Sequence, residues 1–233
     1  MTETGAAQRH LRTLSTPRAA AVAGVLFAIL FAAALILIRT TLPEHPQIGT
    51  QWIESGRARI RVAAILMPFA GIMFLWFIGV VRDGFGHFED KFFSSVFLGS
   101  GLLFLAMTFV ASAVGVALSS GDLATSDSAA RIEITAFGQM LLMTLTKTYA
   151  LRMAAVFMMS LATIWLKTSL MPRWLVMTTY AVVLAVMLAA DVSMWIALAF
   201  PAWVLVVSLF VLNRSGVIDL DPRAEDSRSS DQA

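Results

Sequence analysis

Cysteine is absent from the chain, which excludes disulfides, thiolate metal sites, iron–sulfur clusters and cysteine nucleophiles and leaves the redox compartment undefined. Charge is scarce: Asp, Glu, Lys and Arg make up 14% of the 233 residues, against about 25% in an ordinary soluble domain. A soluble protein of this size needs more charge to cover its surface, so a soluble enzyme or a nucleic-acid binder is excluded. The 17 basic residues exceed the 15 acidic ones by two, so the isoelectric point of 9.4 reflects a small surplus rather than a basic patch. Histidine is limited to three copies, none inside an apolar run, so the hydroxyls of Ser94, Ser95, Ser100, Ser160 and Thr163 lack an intramembrane base.

What fills the sequence is hydrocarbon: 58% of side chains are hydrophobic and the mean hydropathy is +0.79. About 20 apolar residues in a helix cross a ~30 Å bilayer core. The runs are continuous rather than alternating, which points to helices and away from a β-barrel. They lie at 19–38, 62–81, 93–118, 134–166, 174–190 and 192–212. The expected fold is therefore all-α, a polytopic integral membrane bundle of six transmembrane helices. A count of five or seven follows if 134–166 or the 174–212 hairpin is divided differently. Segments 1–17 and 214–233 hold too few hydrophobes to bury and read as disordered tails around a single transmembrane domain, 18–213.

The first run is too long for the core of a cleavable signal peptide. The fourth, 134–166, would be about 50 Å of helix, longer than a bilayer is thick, so its embedded part is placed at 146–166 with 134–145 as an outer extension or a steep tilt. Pro68 and Pro201 are expected to bend their spans. With the N-terminus inside, cytoplasmic segments carry ten Lys and Arg and outer loops five, so both termini read as cytoplasmic in a multi-pass protein of the cell inner membrane. Arg57, Arg59 and Arg61 dissent from that count and read as an interfacial amphipathic stretch. Trp76, Trp165 and Trp174 suit an aromatic belt at the inner interface and Trp195 one at the outer.

A charge within the hydrocarbon costs about 2.5–3.5 kcal/mol to insert, which makes it a functional suspect. Lys147 and Arg152 are the two such cations. Thr144, Thr148 and Arg152 recur at i, i+4 and i+8 and would share one helix face, while Lys147 stands about 140° away from Arg152 at ~100° per residue. Arg152 would lie about 22 Å above the inner interface, level with Asp191. An Arg152–Asp191 ion pair that fixes packing is the favoured reading, ahead of an anion-binding site formed by Arg152, Thr148, Thr144 and Lys147. Small residues four apart, Ser95/Gly99 and Ala111/Gly115/Ser119, mark a packing face on the third span. His87, Glu89 and Asp90 share the loop after the second span, but their spacing matches no metal motif and reads as solvated surface. No metal and no cofactor is expected.

The stretch from Arg152 to Lys167, followed by Leu170 to Leu175, resembles multi-span conserved membrane proteins of actinobacteria of the domain-of-unknown-function type; the segments 76–82 and 200–203 resemble them as well. The resemblance covers about 19–212 and implies that Arg152, Pro172, Arg173 and Trp174 are family features, with no activity attached. The functional expectation is an accessory or scaffold subunit of an envelope-transport or respiratory complex, in contact with lipid and with other inner-membrane proteins or a second copy of itself. The alternatives are a small-molecule or ion transporter around Arg152, and a lipid-modifying intramembrane enzyme using His87, Glu89 and Asp90.

Overall fold

A computed structural model describes residues 3–42, 51–83, 91–120, 127–168, 171–189 and 193–214. Every regular element among them is helical: α1 (Glu3–Arg39), α2 (Gln51–Asp83), α3 (Lys91–Ser119), α4 (Ser128–Met143), α5 (Leu151–Thr168), α6 (Arg173–Ala189) and α7 (Ala199–Arg214). A π-helical segment, Thr144–Ala150, joins α4 to α5 without a break, and a 3₁₀ turn, Met194–Leu198, leads into α7. Five of the resulting rods are long and apolar enough to cross a membrane; α6, with 17 residues, is the shorter sixth. The chain is a helical membrane bundle.

Helix boundaries follow the apolar runs but overshoot them. Residues 3–17, expected to belong to a disordered tail, continue α1 back to Glu3. Once the embedded run has nucleated a helix, each added residue gains a hydrogen bond with little new order to impose. In the same way Arg57, Arg59 and Arg61 belong to the first turns of α2, all three exposed, rather than to a separate stretch in the membrane plane. Pro68 sits inside α2. Pro201 does not bend a mid-span: it occupies the first turn of α7, where its missing N–H lacks no partner that a helix start would provide.

Segment 128–168 is a single run of 41 helical residues, about 60 Å long. Asp127 caps its start by accepting from the Ala129 N–H at 2.9 Å. The lead-in is thus continuous helix, and the departure from α-helical register is confined to the seven π residues. Thr146 Oγ1 donates to the Leu142 carbonyl at 2.6 Å. The Leu151 N–H reaches back to the Thr146 carbonyl, five residues away.

Lipid tails are as apolar as leucine, so helix association in a membrane relies on close packing rather than on expulsion from water. The packing centres on phenylalanine. Phe74 of α2 is fully buried, with ring centroids 4.7 Å from Phe27 (α1), 5.5 Å from Phe104 (α3), 5.2 Å from Phe157 (α5) and 5.8 Å from Phe200 (α7). Edge-to-face and tilted pairs of this kind add roughly 0.5–1.5 kcal/mol each beyond the area they bury. Trp165, expected in the interfacial belt, is instead buried and lies 6.1 Å from Trp203; Trp76, Trp174 and Trp195 are exposed, as belt residues are. α6 is fastened by side chains: Trp203 Nε1 donates to Thr179 Oγ1 at 2.9 Å, and the Thr163 and Tyr180 hydroxyls lie 2.8 Å apart.

A second, smaller cluster, Leu42, Ile53, Ile60, Leu118 and Leu142, gathers where α1 ends, α2 begins, α3 ends and α4 passes. The two clusters are not flush, and the gap between them forms the cavity described next.

Candidate functional site: a cavity closed by a buried arginine

The gap encloses a small, partly open void of about 50 Å³, room for a small apolar group and well below the ~300–1,000 Å³ of pockets that take up a whole ligand. Phe31, Phe104 and Phe200, from the phenylalanine core, form one side; Leu42, Ile60 and Leu142, from the smaller cluster, form the other. The void exists because the positions between them are small: Ala64 on α2, Ala111, Ser112 and Gly115 on α3, Ala150 in the π segment and Ala197 in the 3₁₀ turn. A Cβ added at Gly115 would stand 3.5 Å from Leu142 and 3.6 Å from Ile60, so even there the wall has room for a methyl group.

Among the described residues lining this cavity, Arg39 is the one that carries a charge. It is the last residue of α1 and is buried, at 8% exposure. Thr41, Thr108 and Thr146 also line the walls, but each hydroxyl donates to its own helix: Thr41 to Leu37 at 2.9 Å, Thr108 to Phe104 at 2.6 Å and Thr146 to Leu142 at 2.6 Å. With these hydroxyl protons taken up, the lining of the void is almost wholly hydrocarbon. Beside Arg39, Arg59 Nη1 donates to the Thr40 carbonyl at 3.3 Å, tying the start of α2 to the end of α1. Gly56 permits that approach, since a Cβ there would collide with the Thr41 side chain. Arg39 thus lies at the same end of the bundle as the exposed Arg57, Arg59 and Arg61.

The structure does not bring the sequence-derived site residues into one pocket. In the π segment the bonding interval is five residues rather than four, so the expected i, i+4, i+8 face is not kept. Thr144 is exposed and Thr148 and Lys147 are half-buried. Arg152 is half-buried and its Nη1 donates to the Thr148 carbonyl at 2.9 Å. Asp191, its expected ion-pair partner, lies outside the described residues, as do His87, Glu89 and Asp90. On α3, Ala111, Gly115 and Ser119 are buried, whereas Ser95 is exposed and bonds the Lys91 carbonyl at 2.7 Å, and Gly99 faces open space. Ser100, Ser160 and Thr163 likewise donate to carbonyls of their own helices.

Sequence reading missed Arg39 because an arginine that ends an apolar run normally flanks the interface. The available signal was its setting: Thr40 and Thr41 follow it, and both hydroxyls turn back to the Leu37 carbonyl, prolonging the wall past the end of the helix.

No protein-family model, curated protein or solved structure matches this chain.

Proposed function

We propose that the protein is a multi-pass protein of the cytoplasmic membrane, with both termini inside, that binds an amphipathic small molecule in the cavity closed by Arg39. One observation carries the reading: a partly open, apolar void has a buried arginine in its wall. Such a void suits the short apolar end of a molecule whose polar part stays outside it. The reading transfers the transporter alternative from Arg152 to a different arginine. The side chain of Arg152 is engaged with its own helix.

The accessory-subunit reading rests on surface rather than on a cavity. Trp76, Phe137 and Leu188 are 63%, 68% and 75% exposed on α2, α4 and α6, a spread that suits lipid on every side as well as it suits a partner. The cavity is the more specific feature and is preferred.

Native mass spectrometry of protein solubilised in mild detergent tests the proposal. The expected spectrum shows one tightly held amphipath per chain, lost in Ser112→Phe, which fills the cavity from α3. A bare polypeptide mass, or the same adduct in wild type and Ser112→Phe, would contradict it.

A further inference from the structure

In the rod formed by α4, the π segment and α5, seven residues, Thr144–Ala150, are wound as π-helix. Backbone bonds there close over five residues instead of four, so the stretch stores a residue more than an α-helix of the same reach. We infer that it is a register switch. When it relaxes to α-helix, α4 turns by one residue position, Met143 takes the place of Leu142, and the void beside the π segment closes.

The first support is the pair of faces that α4 carries. With α5 held still, relaxation moves each residue of α4 into the place of the one before it, a turn of about 100°. Thr135, Gln139 and Leu142 are buried on α4, and the residues that succeed them are Ala136, Met140 and Met143. Two polar side chains are thus exchanged for apolar ones. Thr135 is 1% exposed, and its Oγ1 has no hydrogen-bond partner among the described residues. The hydroxyls of Thr108, Thr163 and Thr179, by contrast, each donate to a carbonyl of their own helix. A buried hydroxyl without a partner destabilises the register that holds it. The turn releases Thr135 and takes in Met140, now 58% exposed.

The second support is that the destination is empty. Leu142 lines the void together with Thr146 and Ala150 of the π segment, and Met143 already packs on the smaller cluster beside it. About 50 Å³ accommodates the end of a methionine, an unbranched side chain that adapts to irregular gaps. The third lies in the carbonyls of Leu142 and Thr148, near either end of the stretch. Each is held by a side chain, Thr146 Oγ1 at 2.6 Å and Arg152 Nη1 at 2.9 Å, and so keeps a partner while backbone bonds exchange. The turn also brings Gln139 to the place of Gly138, against Leu118, whose side chain must swing aside. The π register therefore leaves the void open and the α register shuts it, independently of which molecule enters.

Disulfide trapping tests it, since the chain has no cysteine of its own. Gly115→Cys, where a Cβ stands 3.5 Å from Leu142, is combined with Leu142→Cys to report the π register. Combined with Met143→Cys it reports the α register. Full-length protein in bilayers is oxidised with copper phenanthroline, and both pairs are expected to cross-link. Deleting Thr148 removes the stored residue; it should leave the Leu142 pair intact and lower the Met143 pair about tenfold or more. Ser112→Phe, which fills the void from α3, should lower the Met143 pair likewise, and it reports even if the deletion fails to fold. Absence of either cross-link in the parent background overturns the inference. So does an undiminished Met143 cross-link in Ser112→Phe or in the folded deletion variant, which would show that the pair meets by local motion without a change of register.

Discussion

The indole N–H of Trp203 on α7 donates to the hydroxyl of Thr179 on α6 across 2.9 Å, with both side chains buried. The Thr179 hydroxyl in turn donates to the Leu175 carbonyl at 2.8 Å, so one side chain satisfies an indole and a carbonyl where water is excluded. At 17 residues α6 falls short of the five long spans, and polar links of this kind locate it against its neighbours. Thr179→Val should cost about 0.6 kcal/mol and not exceed ~1.7 kcal/mol, the range measured for interhelical bonds in a membrane. A double-mutant cycle with Trp203→Phe, read from melting in detergent, measures it. Additive losses would show that the bond couples nothing.

Phe74 joins four other helices through its ring. Phe74→Ala should lower stability by about 3–5 kcal/mol, the cost of a large buried aromatic, seen as a lower melting temperature. Phe92→Ala, at a residue 67% exposed, should stay within about 0.5 kcal/mol. Similar losses at the two sites would show that the aromatic hub does not organise the bundle.

Glycines separate the tight contacts from the loose ones. A Cβ at Gly24 would collide with Ser208 Oγ on α7 and stand 2.8 Å from the Phe77 ring on α2. Gly24→Ala should therefore cost ~1–3 kcal/mol as an overpacked core does. At Gly99 no atom lies within 4 Å of the added carbon, and Gly99→Ala should gain up to about 1 kcal/mol from helix propensity. Opposite signs in thermal melts are expected. Two losses of equal size would contradict the α1–α7 contact.

Sidedness can be read from a chain without cysteine, since each introduced thiol is the only one. Ser120 follows α3 and Arg173 opens α6, both exposed. In intact cells an impermeant maleimide should label Ser120→Cys, and should label Arg173→Cys only after permeabilisation. The reverse pattern would invert the proposed orientation.

The bundle was legible in the sequence because the hydrocarbon core demands long apolar helices, and each run at 19–38, 62–81 and 93–118 falls inside an observed helix. The site was not legible. Arg152 drew notice as a charge within a long apolar run, yet the π segment changes the register on which its shared face with Thr144 and Thr148 depended. Arg39 escaped notice because its burial depends on α2 and α3 converging on the end of α1, and periodicity along one strand of sequence carries no record of that convergence. Trp165 escaped for the same reason: a tryptophan two residues before Lys167 reads as interfacial until Trp203 of α7 is found against it.

Photocrosslinking tests the cavity most directly. Wild-type protein in bilayers containing a short-chain amphipath with a diazirine on its apolar end is irradiated, and the crosslinked peptides are mapped by mass spectrometry. The account predicts adducts concentrated at 104–115 and 142–151 and sharply reduced in Ser112→Phe. Adducts spread over the exposed faces around Trp76, Phe137 and Leu188, unchanged in that variant, would contradict it.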